Sequence, residues 1–401
     1  MMDIRTDAKN LDDRSLEYIH SLGCYFKPDE VFIRPRQTVT FDSPLSLFVI
    51  KYLATGNAQV VGRTPGDNPV AFNLDPGDSW TLYAPGLVSS DLGQLVMDIN
   101  DHSVPSLILN RGELVQSDLV QLAGAPTLTT LGLGTDWTSL AGIQELTQLV
   151  TLIIDNNHRI TDTELSLLTG LASLEELMLT SSSNISNAGM PHLAALAGLK
   201  RLYLNRTSVD DVGIATLLSG APSMTGLHME QLGVTDNTVA QVISRPSMVE
   251  LDFDETHISD SGAAQLGALT SLKVLDLRDN KGGLIQNATL LSLTNALPSL
   301  RSFSITSQDI DDAGMANIGN LTQMEELTLH GHGLTDMGLA GIGALSMMTT
   351  LSLRKTELTD SGLSSFVPLT GMWELFAENT QVTPAGKAYL EAQIPGLTVY
   401  I

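Results

Sequence analysis

The sequence predicts an α/β solenoid preceded by a small β-sandwich domain, and three observations predict it. First, a phrase of the form L-x-x-L-x-L recurs from residue 107 to residue 376, cleanest in LKVLDLRDN (272–280), LKRLYLNRT (199–207) and LTTLGLGTD (128–136). Second, its central apolar position falls at Leu107, Leu131, Leu152, Leu177, Leu202, Leu227, Leu251, Leu275, Phe303, Leu327, Leu351 and Leu375, at intervals of 21 to 28 residues and mostly 24 or 25. Third, residues 1–100 lack the phrase altogether. A unit of that length cannot bury an apolar side by itself and must stack on its neighbours.

Residues 1–100 are read as a separate domain. Leu11, Leu16, Ile19 and Leu22 in LDDRSLEYIHSLG (11–23) have the spacing of one short helix. EVFIRPRQTVTF, SLFVIKYL, AQVVGR, NPVAFNL and SWTLYAP then alternate, separated by TGN, TPGDN, DPGD and APG, which predicts short strands in a sandwich or barrel-like sheet. The segment NLDPGDSWTLYAPG resembles the turn-strand motif of cupin-type jelly rolls. Val88, Ser89 and Ser90 stand where that family carries metal-binding histidines, so cupin chemistry is not expected. Residues 91–104 lead into the first repeat with no Gly/Ser-rich or charged tract, and residues 101–401 form the solenoid.

Within one repeat, Leu272, Leu275 and Leu277 point inward and Val274, Asp276 and Arg278 outward, by the two-residue period of a strand. Five residues past the anchor, Asn157, Thr207, Thr256, Asn280, Thr356 and Thr380 are short polar groups able to bond the backbone of the turn. Thr161-Asp162, Ser259-Asp260, Thr335-Asp336 and Thr359-Asp360 then read as N-caps followed by a dipole-compatible acid, starting a short helix. The full phrase, L-x-x-L-x-L-x-x-T-x-[ITV]-[ST]-D-x-G-[LMA], resembles the bacterial and F-box-associated leucine-rich repeat classes over residues 105–401. That resemblance implies a horseshoe whose concave strand face recognises a partner, without enzymatic chemistry. F-box members carry an N-terminal helical box that recruits a ubiquitin-ligase adaptor. Residues 11–23 lack its leucine-proline opening, and strands follow them.

Composition narrows the partners. Twenty-one basic against 45 acidic residues leave a net charge of −24, which opposes nucleic-acid or anionic-membrane surfaces and permits a basic partner. The single cysteine, Cys24, excludes an intramolecular disulfide. The N-terminus MMDIRTDAKNLDDRS has no apolar core of a secretion signal, and no run reaches the ~18 apolar residues of a membrane span. Cytoplasmic synthesis is therefore expected, with virion association as one destination.

Chemistry has few candidates. His330 and His332 form a pair with no third ligand in view, and no phosphate loop, nucleophile elbow or zinc spacing occurs, so neither cofactor nor metal is expected. The concave face of the central repeats is more informative. It gathers Met178, Arg201, Tyr203, His228, Glu230, Glu250, Asp252, Asp254, Asp276 and Arg278 as ligand-binding candidates. Neighbouring strands lie about 4.8 Å apart, so Glu230 adjoins Asp254 and Asp252 adjoins Asp276, a like-charge arrangement costing a few tenths of a kcal/mol per pair. Small polar residues such as Ser304 and Thr306 fill the same face elsewhere, so the carboxylates are read as kept for binding; a solvated face and a calcium site are the alternatives. About four extra residues near Lys281–Gln286 make a loop beside them.

These readings together describe a non-enzymatic adhesion or recognition protein. Its solenoid would bind a protein or glycan, and its N-terminal domain would oligomerise or dock to an assembly such as a phage virion. A bacterial intracellular scaffold or injected effector is the competing setting, and an enzyme within residues 1–100 is the alternative of another class.

Overall fold

The computed structural model describes residues 37–45, 47–52, 58–64, 70–74, 79–84, 87–109, 116–135, 137–283 and 285–401. The helix expected over residues 11–23, and Cys24, lie outside them. The chain divides into two compact units, residues 1–184 and residues 185–401.

In the first unit the strands predicted before residue 100 are β1 (Gln37–Phe41), β2 (Leu47–Tyr52), β3 (Ala58–Thr64), β4 (Val70–Leu74) and β5 (Ser79–Ala84). Helix α1 (Leu92–His102), β6 (Ser106–Leu109), β7 (Thr130–Leu133), β8 (Thr151–Ile153), α2 (Asp162–Leu165) and β9 (Glu176–Met178) follow. β1 and β4 form an antiparallel pair, while β3, β2 and β5 run antiparallel in one sheet with the parallel strands β6 to β9. Phe41 and Phe72 from the β1–β4 pair meet Trp80 of β5, with ring centroids 6.2 and 5.6 Å apart. The strands before residue 100 also share the sheet of the repeats, because β5 pairs in parallel with β6, Leu82 opposite Leu107. Helix α1 bridges the same point, burying Leu92, Leu95 and Ile99, and its buried Asp98 accepts hydrogen bonds from Ser43 and Gln94. No linker intervenes.

The second unit contains only repeats. Its strands are β10 (Arg201–Tyr203), β11 (Gly226–His228), β12 (Glu250–Asp252), β13 (Val274–Leu277), β14 (Ser302–Thr306), β15 (Glu326–His330), β16 (Thr350–Ser352), β17 (Glu374–Phe376) and β18 (Thr398–Tyr400). They pair in parallel in chain order, anchor opposite anchor: Leu227 with Leu251, Leu251 with Leu275, Leu275 with Phe303. The helices are α3 (Met190–Ala194), α4 (Asp211–Gly220), α5 (Asp236–Val242), α6 (Asp260–Gln265), α7 (Asn287–Ala296), α8 (Asp336–Leu339) and α9 (Pro384–Gln393), supplemented by single 3₁₀ turns. Leu272, Leu275 and Leu277 are fully buried and Val274, Asp276 and Arg278 partly exposed, as the strand period predicts.

Four residues past most anchors the backbone turns left-handed, at Arg206, Gln231, Glu255, Asp279, Lys355 and Asn379. The threonine that follows bonds back to its own turn: Thr207, Thr256, Thr356 and Thr380 donate to the carbonyls of Leu204, Phe253, Leu353 and Ala377 at 2.6–2.8 Å. Asparagine reaches further, and Asn280 Nδ2 donates to the Phe253 carbonyl of the preceding repeat at 3.2 Å. After the Phe303 and Leu327 anchors there is no left-handed turn, and β14 and β15 continue to five residues. His332, five residues past the Leu327 anchor and so in the position that threonine or asparagine fills elsewhere, is exposed.

A further link between repeats lies on the helix side. Asp236, at the start of α5, accepts the backbone N–H of Ser259 at 2.8 Å and its hydroxyl at 2.5 Å; Ser259 is the N-cap of α6. Asp211 binds Thr235, Asp312 binds Thr335, Asp336 binds Thr359 and Asp360 binds Thr383 in the same two-pronged way. Beyond the helix-dipole role expected of acids at this position, the pairing ties one repeat to the next. It also explains the glycine of the phrase: a Cβ at Gly262 would stand 2.0 Å from Asp236 Oδ1. Where the N-cap is itself an aspartate, the preceding acid is replaced by asparagine. Asn187 Nδ2 donates to Asp210 Oδ1 at 2.7 Å and its Oδ1 accepts from Asp210 N at 3.0 Å; Asn287 and Asp311, which opens a turn in place of a helix, repeat the arrangement.

Two outcomes test this construction by urea unfolding. Leu275→Ala should cost about 2–5 kcal/mol, the range for a leucine removed from a packed core. Asn187→Asp should place two carboxylates face to face and cost roughly 1–3 kcal/mol, and Asn187→Asp combined with Asp210→Thr should recover most of the loss by recreating the aspartate–threonine pair.

Candidate binding surface

The outward side chains of β10 to β13 form the surface predicted to be concave. Register sets Tyr203 beside His228, His228 beside Asp252, and Asp252 beside Asp276. Tyr203 and His228 stack, their ring centroids 4.1 Å apart and their planes 12° from parallel. On its other side His228 faces two carboxylates: Nε2 is 3.4 Å from Glu250 Oε2 and Nδ1 is 3.7 Å from Asp252 Oδ2. Gly226 makes room for this, since a Cβ there would fall 3.0 Å from Arg201 Cγ and 3.2 Å from Glu250 Oε2.

Arg278 is the second organising cation. Its Nε donates to both oxygens of Asp276, at 3.0 and 2.9 Å, and Nη2 lies 2.8 Å from Asp276 Oδ2 and 3.0 Å from Asp254 Oδ2. Asp276 Oδ1 also accepts the Arg278 backbone N–H, and Asp252 Oδ1 accepts that of Asp254, both at 2.9 Å. Glu230 turns aside to Arg206 Nη2, 2.5 Å away, and to Asn205 Nδ2 at 3.4 Å. The predicted row of like charges is thus a network in which His228 and Arg278 interleave with the carboxylates. Asp254 Oδ1 is buried with no hydrogen-bond donor.

Met178 requires a correction. Alternation directs it outward, as predicted, but it is fully buried, standing in register beside Ile153, itself 1% exposed. Large apolar groups on adjacent strands cover one another at strand spacing, so Met178 offers no exposed contact. Arg206, missed in the sequence, occupies the left-handed turn position and carries its signal there, directly after the outward Asn205. A second cluster was also missed. Arg354 Nε and Nη2 donate to Glu378 at 2.9 and 3.0 Å, its guanidinium covers the Phe376 ring at 4.8 Å, and Phe376 stacks on Tyr400 at 4.7 Å. His330, part of the candidate metal pair, has Nε2 3.1 Å from Ser352 Oγ, and burial together with Arg354 lowers its affinity for a proton. Among the described residues no three His, Cys, Asp or Glu side chains gather as a metal would require.

The electrostatics follow from burial and pairing. Burial alone would depress the His228 imidazole, but hydrogen bonds and charge from Asp252 and Glu250 overcome it and push it up to about 9. Burial raises Asp254 to about 7, aided by Asp276, Asp252 and Glu230 and opposed by Arg278. Burial likewise raises Asp276 against the Arg278 hydrogen bonds, with Asp252 adding to the rise. Glu250 is held below its usual range because its bond to His228, with Arg201 and Lys273 nearby, outweighs burial.

All three raised groups give the same sign. A folded-state value above the unfolded one means that proton binding stabilises the fold. The Asp254 contribution is full below its ordinary 3.8 and declines as pH rises through about 7; that of His228 is full below 6.5 and is lost on approaching 9. Wild-type unfolding free energy should therefore fall between those latter limits by an amount on the order of 3 kcal/mol. In His228→Gln that slope should shrink to the part left by Asp254 near pH 7. A nuclear magnetic resonance titration midpoint for His228 at its ordinary value would contradict the pairing.

Comparison with known proteins agrees with the repeat architecture. The family described as "Leucine Rich repeat" matches residues 344–367. No curated protein sequence matches the chain significantly. Among solved structures, an internalin of Listeria monocytogenes is similar with 18% identity and a TM-score of 0.42, over 80% of this chain and 86% of that one. A leucine-rich repeat protein of Leptospira interrogans is similar with 17% identity and a TM-score of 0.45, over 80% and 89% respectively. Among the described residues no helix is long and apolar enough to cross a membrane. The recurrent phrase, the anchor-to-anchor parallel ladder and the matched repeat together give the chain a leucine-rich repeat architecture.

Proposed function

We propose that the chain is a protein-recognition module that binds its partner on the outward face of β10 to β13. The observation that carries this reading is Arg278, whose side chain is 39% exposed yet fixed by Asp276 and Asp254. A long side chain on a surface ordinarily loses rotamer freedom when it binds; here two carboxylates have already ordered it. Tyrosine and arginine are the side chains that most often dominate interface energies, and Tyr203 lies on the same face, stacked on His228. The net charge of −24 on the chain as a whole favours a partner carrying lysine or arginine around a neutral contact to Arg278.

Selection of a displayed peptide library on the full chain tests this. Enriched peptides should carry basic residues and bind at least about tenfold more weakly to Arg278→Ala and to Tyr203→Ala. Their association should slow between about 0.05 and 0.5 M salt, as screening predicts. Peptides indifferent to both substitutions would place recognition elsewhere.

A docking role for residues 1–100 is a companion reading. The two strand layers joined by Phe41, Phe72 and Trp80 support a small sandwich there, and β3 has β2 as its one ladder partner among the described residues. An open strand edge is a ready site for pairing with another chain. Lysine at Val61 should then lower the mass of any assembly seen by sedimentation. An unchanged mass would remove the edge from the docking role.

A further inference from the structure

The far edge of the second unit carries a contact that neither recognition nor repeat stacking requires. Among the described residues β18 has β17 as its one ladder partner. Thr398 N donates to the Trp373 carbonyl and the Tyr400 carbonyl accepts from Ala377 N, both at 2.8 Å, so residues 398 and 400 turn their main-chain groups toward β17. In a parallel ladder the residue between them faces the opposite way, so the Val399 N–H points out of the sheet. A second strand arriving at this edge would bond that donor.

The donor is already occupied. Glu391 Oε1 accepts from Val399 N at 2.9 Å. Glu391 sits on α9, a ten-residue helix whose N-cap Thr383 accepts from Ala385 N and Gly386 N at 3.2 and 3.3 Å and whose first turn carries Pro384. Lys387, one turn earlier, lies 3.7 Å from the same carboxylate. Leu390, Ile394 and Val399 are fully buried, so α9 covers the apolar interior at this end and leaves main-chain pairing as the means by which another strand could add.

We propose that Glu391 is an edge stopper, a contact within the chain that withholds the outward donor of β18 from the β18 strand of a second copy. The second copy is the occupant argued here because two identical edges can pair antiparallel about a two-fold axis, each supplying what the other lacks. In that arrangement both Glu391 carboxylates would have to leave their donors.

Sedimentation equilibrium and amide hydrogen exchange on the full chain test the stopper. Glu391→Ala removes the acceptor, and Glu391→Gln keeps a carbonyl oxygen able to accept from Val399. In dilute Glu391→Ala the Val399 amide should exchange at least about tenfold faster than in wild type. As concentration rises its mass should grow beyond that of wild type, and the amide should become protected again. Glu391→Gln should match wild type in both measurements. If Glu391→Ala fails to fold, Glu391→Asp, which withdraws the carboxylate by one methylene, should show the same changes more weakly. A fast-exchanging Val399 amide without any concentration-dependent gain in mass, in whichever variant folds, would overturn the proposal.

Discussion

The structure of the second unit depends on one hydrogen-bonded pairing, repeated from unit to unit. An acid or amide at the start of one helix grips the backbone N–H and side chain of the N-cap of the next. Each such bond satisfies a donor that a helix end leaves open and ties it to the adjacent repeat, so local capping and stacking become the same interaction. On the opposite side of each repeat the parallel ladder sets the lateral register. Without that register His228 would not fall between Tyr203 and Asp252, nor would Arg278 lie within reach of both Asp276 and Asp254.

The pairing rule shows how closely this sequence follows its own geometry. Threonine or serine caps are met by aspartate, whose two oxygens accept from N–H and O–H. Aspartate caps are met by asparagine, which supplies the missing donor while still accepting the backbone N–H. Aspartate at both positions would set two acceptors against each other. The exchange is a matter of donors and acceptors, and it is legible within one chain because the repeats serve as their own comparison.

Much of the fold was legible in the sequence for the same reason. The leucine anchors mark the ladder, and the two-residue period separates buried Leu275 and Leu277 from outward Asp276 and Arg278. Three features were not legible. The edge partner of β5 is β6, a pairing that a change of composition near residue 100 conceals, since periodicity reports a strand and not its neighbour. The charge pairing on the outward face was not legible either, because the side chain directly opposite on the next strand is not the only one within reach. Arg278 bonds back along its own strand to Asp276 and across to Asp254, and Glu230 is drawn off by Arg206 in the turn. Met178 was placed on the correct face, but the cover given by its neighbourhood could not be read from alternation.

On that face the side chains hold one another in place. Stacking, paired carboxylates and a glycine that admits Arg201 and Glu250 combine to hold groups that are ordinarily mobile. The most direct measurement is ¹⁵N relaxation of the Arg278 Nε–H in the free protein. Pre-ordering predicts an order parameter near the rigid-backbone value of about 0.85, whereas a value below about 0.6 would show a freely moving side chain and contradict the account.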